Sequence, residues 1–233
     1  MHALTLNLSN MNKRAVIKQS GSFMLGTMAV SITAALLLNG CSKKAKKPNI
    51  ILIVGDDIGY SDIGCYGSEI ETDNLDWLAK NGLRFTQFTN MAKCNPTRSS
   101  LFTGLFLGTK QHSENARSLG NLMRKGGYFT GMFGKEHFDE WVPQNCYAAN
   151  SFDESFVYWA INPYFKPPKG DFQNPFVYNG KEMDIENIPL AEEPFYKTDV
   201  ITDYALRFLE KKKEDPFFLY LPYHEIGRAS CRE

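Results

Sequence analysis

From Asn49 to Val54 the chain reads Asn-Ile-Ile-Leu-Ile-Val, a continuous β-branched apolar run that stops at Gly55. A run this short and apolar reads as a strand buried on both faces of a parallel sheet. The rest of the chain repeats the theme. Thr72 to Asn81 sets Leu75, Leu78 and Ala79 at helical spacing and ends at Gly82, a natural helix stop. Residues 83–88 alternate and predict the next strand; 99–107 and 118–125 predict helices, the second closed by Gly126-Gly127. A strand is expected over 128–133. A helix over 199–214, carrying Tyr204, Leu206, Phe208 and Leu209, leads into a buried strand at 216–221. Strand–helix alternation of this kind specifies an α/β fold with a mainly parallel central sheet flanked by helices. Residues 159–197 break the rhythm: they hold six of the eleven prolines and many aromatics, and read as a long ordered loop beside a cleft. No internal repeat is visible.

Charge is unevenly spread. The chain has 26 basic and 26 acidic residues; zero net charge, with no Lys/Arg-rich face beyond one short cluster, removes the usual footprint of a nucleic-acid binder, and no nucleic-acid partner is expected. Residues 1–40 carry Lys13, Arg14 and Lys18 and no acid. An apolar heart from Phe23 to Leu38 follows, shorter than the ~20 residues that span a bilayer comfortably. It closes in Leu38-Asn39-Gly40-Cys41. This is the layout of a secretory signal, and its ending resembles the lipobox of bacterial lipoproteins, with Cys41 the acylated residue. The competing reading is an uncleaved N-terminal anchor. Residues 41–47 form a Lys-rich tether, and 48–233 carry 19 basic and 26 acidic side chains, about −7. A lipid on Cys41 implies an extracytoplasmic, membrane-anchored lipoprotein, in the periplasm or at the cell surface.

The other cysteines are Cys65, Cys94, Cys146 and Cys231, without a Cys-x-x-Cys or a Cys/His ladder to suggest zinc. An oxidising compartment permits a Cys65–Cys146 disulfide.

Three constellations carry chemistry. Val54-Gly-Asp-Asp-Ile-Gly places Asp56 and Asp57 past a strand end, where ligands gather in open α/β sheets. Adjacent carboxylates repel unless solvated or paired with a cation, and their oxygens favour Ca²⁺ or Mg²⁺; the alternative is a solvated turn. In Cys94-Asn-Pro-Thr-Arg98, Asn95 suits a helix N-cap and Pro96 the first helical position. Cys94 then sits at the positive end of a helix with Arg98 one turn away. A lone cysteine is otherwise a small buried hydrophobe. In Gly126 to His137, a strand leads into Gly134, and Lys135 and His137 offer donors for a tetrahedral oxyanion.

Taken together these segments resemble the N-terminal portion of the formylglycine-dependent, arylsulfatase-like sulfatase family, within the alkaline phosphatase superfamily. Cys94-Asn-Pro-Thr-Arg98 matches its Cys-x-Pro-x-Arg signature, and Gly127-Tyr128 with Gly134-Lys135-Glu136-His137 matches Gly-Tyr…Gly-Lys-x-His. Asp56-Asp57, Asp62 to Gly67 and Thr72 to Ala79 match the family opening, with Asp73 where Pro is usual. The resemblance covers about 48–224. It implies an alkaline-phosphatase-like sandwich and hydrolysis of sulfate esters of small molecules or polysaccharides.

By the same resemblance, a maturation enzyme converts Cys94 to formylglycine, whose hydrate attacks sulfur. Asp56, Asp57 and position 94 hold Ca²⁺, ahead of Mg²⁺. Arg98 steadies the diol, and Lys135 and His137 bind sulfate and the developing charge. A thiolate is a poor Ca²⁺ ligand, which suits a cysteine that is converted rather than used directly. Two alternatives stand beside this: a phosphodiesterase or phosphonate hydrolase of the same superfamily, and a non-catalytic glycan-binding lipoprotein.

The chain departs from the family near its end. Sulfatases are usually much longer and follow the strand with Pro-His; here Ile226-Gly227 follows His224-Glu225, so no catalytic role passes to His224. We therefore expect 48–225 to be the N-terminal part of a catalytic domain, 226–233 to be an atypical tail, and a truncated sheet to expose an apolar edge such as Phe217–Leu221.

Overall fold

The computed structural model describes residues 47–106, 116–138, 142, 144–159, 164–165, 175–183, 188 and 195–224. The signal segment, Cys41, most of the tether, much of 159–197, Gly227 and the 226–233 tail lie outside these residues. Among the described residues no helix is long and apolar enough to cross a membrane.

Strand β1 spans Ile50–Val54, β2 Phe129–Lys135, β3 Glu154–Tyr158, β4 Phe176–Tyr178, β5 Lys181–Met183 and β6 Phe217–Pro222. They form one sheet in the order β1-β6-β2-β3-β4-β5. The first four in that order run parallel, and β4 and β5 add an antiparallel hairpin. The expected α/β class with a mainly parallel sheet is what the chain adopts. The helices are α1 (Asp73–Asn81), α2 (Cys94–Thr103), α3 (Leu119–Lys125), α4 (Ala148–Ser151) and α5 (Lys197–Lys212).

Alternation along each strand divides the core. Phe217, Leu219 and Leu221 face α5, packing with Phe133, Phe156, Tyr204 and Phe208. Phe218 and Tyr220 face the other way, with Phe102 of α2, Met132 and Phe152. Helices on both faces explain why β2, β3 and β6 are almost wholly buried.

Several expectations are corrected. β6 is the buried neighbour of both β1 and β2, so Phe217–Leu221 is no exposed edge. Among the described residues β1, expected to be buried on both faces, is an edge strand. Its Ile50, Leu52 and Val54 pack on the Phe102 cluster, while Ile51 and Ile53 are 49% and 55% exposed. Parallel pairing puts Ile51 beside Leu219 and Ile53 beside Leu221, on the face that α5 covers over β6 but not over β1. Residues 83–88 form no strand: without a partner the alternating Leu83, Phe85 and Phe88 stay exposed. Within 159–197, part of the expected loop is the β4–β5 hairpin. Strand β3, with its polar Glu154 and Ser155, was not expected from sequence. Cys65 and Cys146 are free thiols rather than a disulfide; the buried Cys146 Sγ points at the Ala116 carbonyl, 3.6 Å away.

Candidate active site

The carboxyl ends of β1, β2 and β6 and the first turn of α2 converge on one place. The helix begins earlier than its periodicity suggests. Lys93 is the N-cap, in extended conformation, and Cys94, Asn95 and Pro96 form the first turn, where a proline forfeits no hydrogen bond. Asn95 is therefore not the cap; its amide donates to the Phe138 carbonyl at 3.2 Å. Gly104 closes α2 in the left-handed conformation, φ 71°.

Cys94 Sγ lies 3.4 Å from His137 Nδ1. Arg98 is 1% exposed, and its fork spans two strand ends, donating from Nη1 to the Lys135 carbonyl (3.3 Å) and from Nη2 to the Tyr223 carbonyl (3.0 Å). Nη2 is also 3.6 Å from Asp56 Oδ2, while the buried Nε has no hydrogen-bond partner. Lys135 Nζ donates to the same Asp56 oxygen at 2.5 Å. Burial alone raises the Asp56 pKa, but the hydrogen bond from Lys135 and the nearby Arg98 charge outweigh it, and the carboxyl is held below its ordinary range.

Gly134 explains how Lys135 reaches this position. Its φ is 135°, and a Cβ there would overlap the Pro222 carbonyl, so β2 can approach β6 this closely only with glycine. Among the described residues four non-glycine residues have positive φ; Asp57 (54°), Ala92 (58°) and His137 (31°) are three of them. Asp57 and Ala92 line the cavity and His137 touches Cys94, a clustering of strain typical of working sites.

Asp56, Asp57, Cys94 and Arg98 line one cavity of about 220 Å³ with Val54, Lys93 and Thr97. Asp56, Asp57 and position 94 line the same cavity, and their chemistry suits a hard cation if position 94 supplies oxygen. Arg98 Nε, a buried donor without a hydrogen-bond partner, leaves room for a further oxygen-bearing group. Among the described residues, however, Asp56, Asp57 and Cys94 do not come together as a group of three ligands. Of the sequence-predicted site residues, Asp56, Asp57, Cys94 and Arg98 line this cavity, while Lys135 and His137 do not line it but contact Asp56 and Cys94. Cys41 lies outside the described residues.

Sequence reasoning missed a second layer. Lys197, at the start of α5 and fully buried, places Nζ 2.9 Å from His224 Nδ1 and over the rings of Tyr158 and Tyr164, 4.7 and 4.3 Å from their centroids. Burial first, then the charges of Lys197 and Lys135, push the His224 pKa down to about 3, so this imidazole is neutral at physiological pH. Glu136, between Lys135 and His137, is buried and accepts from the Ala148 N–H at 2.5 Å; burial raises its pKa to about 7. No motif marked Lys197, because its helix reads as an ordinary amphipathic one.

The site thus sets a cysteine at a helix start beside cationic side chains at strand ends, at the carboxyl ends of a parallel sheet where ligands gather. The family model described as Sulfatase matches residues 48–226, and the chain belongs to the sulfatase family. It is 30% identical over 222 residues to N-acetylglucosamine-6-O-sulfatase of Bacteroides thetaiotaomicron, covering 91% of this chain and 36% of the relative. It is 32% identical over 210 residues to human N-acetylgalactosamine-6-sulfatase, covering 78% and 40%. Among solved structures, one described as Ps i-CgsB superposes with a TM-score of 0.59 at 31% identity, covering 77% of this chain and 45% of that one. Another, in complex with its substrate D-glucosamine-2-N,6-O-disulfate, does so at 0.57 and 28% identity, covering 76% and 34%. The chain thus spans less than half the length of these relatives. The phosphonate monoester hydrolase of Agrobacterium radiobacter, at 20% identity and a TM-score of 0.50, shares the fold.

Proposed function

We propose that the protein of which this chain forms the N-terminal part hydrolyses sulfate esters of carbohydrates. The observation that carries this reading is a cavity lined by Asp56, Cys94 and Arg98, with His137 against Cys94 and Lys135 against Asp56, in a chain whose relatives include N-acetylhexosamine sulfatases.

Asp56, Asp57 and position 94 are the residues that would hold Ca²⁺, which, together with formylglycine made from Cys94, would polarise the sulfate and supply the attacking oxygen. The remaining work falls to side chains already in place. Arg98 locks α2 to the ends of β2 and β6 and fixes position 94 relative to Lys135. Lys135 holds its ammonium against Asp56 at the strand ends, where it would bind a sulfate oxygen. His137 Nδ1, a hydrogen bond away from position 94, can hold or pass a proton there as the ester oxygen departs. Neutral His224 and Lys197 brace the strand end behind them. A lipid on Cys41 would keep the domain at a membrane surface in an extracytoplasmic space.

The test is sulfate release by the full-length protein, co-expressed with a formylglycine-generating enzyme. N-acetylglucosamine-6-sulfate and N-acetylgalactosamine-6-sulfate are compared with 4-nitrophenyl phosphate and a phenylphosphonate ester. Turnover confined to the phosphorus esters would overturn the reading.

A further inference from the structure

Strand β3 is buried at every position from Glu154 to Tyr158, and the next residue, Trp159, emerges 36% exposed at its carboxyl end. Lys135 pairs with Tyr158 across the β2–β3 ladder, and Glu136 N–H donates to the Tyr158 carbonyl at 3.0 Å, so Trp159 stands beside the end of β2. Its indole meets the His137 ring edge-on, centroids 6.2 Å apart, and lies stacked on Tyr147 at 5.7 Å and 19°. Phe138 supports Tyr147 from behind in a T-shaped contact at 5.9 Å. A large apolar ring, rigidly backed yet partly open to solvent, is thus held one ring away from the imidazole that touches position 94.

We infer that Trp159, backed by Tyr147, is a stacking shelf for the pyranose ring that carries the sulfate, and so a specificity-determining residue of the site. This rests on the function proposed above. A pyranose presents C–H groups on one face and hydroxyls around its rim. An indole takes the apolar face, while cationic and polar groups take the anionic substituent. His137 bridges the two halves, contacting the Trp159 ring on one side and position 94 on the other.

The experiment uses the matured full-length protein with Trp159→Ala and Trp159→Phe, assayed on a sulfated N-acetylhexosamine and on an acyclic alkyl sulfate that has no ring to stack. The expected result is a roughly 5–10-fold rise in KM for the sugar with Trp159→Ala, a much smaller change for the alkyl sulfate, and recovery of most of the sugar affinity in Trp159→Phe. Equal losses on both substrates, or an unchanged KM for the sugar, would overturn the shelf while leaving sulfate hydrolysis standing. A wild-type protein that releases sulfate from neither substrate would overturn the functional reading itself, and the shelf with it.

Discussion

Lys135 Nζ lies 2.5 Å from Asp56 Oδ2, although their strands, β2 and β1, are not neighbours. β6 runs between them, and the lysine side chain reaches past its end. The contact ties the ends of β1 and β2 together, and Arg98 from α2 joins them to the end of β6 through Asp56 and the Tyr223 carbonyl. Because both partners are almost fully buried, neither charge can be removed without leaving the other uncompensated.

Lys135→Met therefore acts twice. It should lower kcat/KM on a sulfate ester by ~10²–10³, as expected for loss of one preorganised donor. It should also destabilise the fold by about 3 kcal/mol, because Asp56 is left with Arg98 alone. Urea unfolding of Lys135→Met, Asp56→Asn and the double variant checks this: the double should cost less than the two singles together.

Cys94→Ala tests whether position 94 carries the nucleophile. In the matured full-length protein it should abolish sulfate release while leaving the urea midpoint nearly unchanged, since Cys94 is only half-buried. Sulfate release near the wild-type rate from the purified variant would remove position 94 from the mechanism.

Glu136 makes stability fall as pH rises. Burial lifts its folded pKa to about 7 from an ordinary value of 4.5, so the native state binds more protons than the unfolded state between those values. The group's contribution is fully present below about pH 4.5 and is lost as pH climbs through 7. Between pH 5 and 8 the wild type should lose about 2–3 kcal/mol relative to Glu136→Gln, which keeps an acceptor for the Ala148 N–H. Urea midpoints of the two proteins at both pH values provide the check; parallel pH profiles would count against it.

The bare face of β1 predicts poor behaviour of the 233-residue chain by itself. Ile51 and Ile53 are joined among exposed apolar side chains by Trp77, Leu83, Phe88 and Phe106. Parallel edge strands with one uncovered apolar face invite association. Ile51→Thr with Ile53→Thr should raise the soluble fraction and lower binding of an apolar fluorescent dye. Light scattering and dye titration would show it, and an already monomeric, dye-silent parent chain would contradict the prediction.

Much of this protein was written locally in its sequence. The β1 run, Gly82 after α1, Ser118 capping α3 and the apolar stripe of α5 are short-range features, and each element formed where pattern and punctuation placed it. So were Asp56, Asp57, Cys94, Arg98, Lys135 and His137, because a signature fixes residue types at close spacing. Tertiary structure decided the rest. Periodicity cannot say which strands are neighbours, so β6 proved central and β1 the edge, reversing the expected exposure. β3, with its polar Glu154 and Ser155, became a strand through its pairing with β2 and β4. Lys197 and His224, 27 residues apart, carry no shared motif; α5 and the end of β6 alone bring them to 2.9 Å. The sequence by itself set which residue types stand at the strand ends and helix start of the candidate site, since those choices are local. The fold set their mutual reach and the charge pairing of Asp56, because burial and charge pairing act through space between strands that the chain order does not make adjacent.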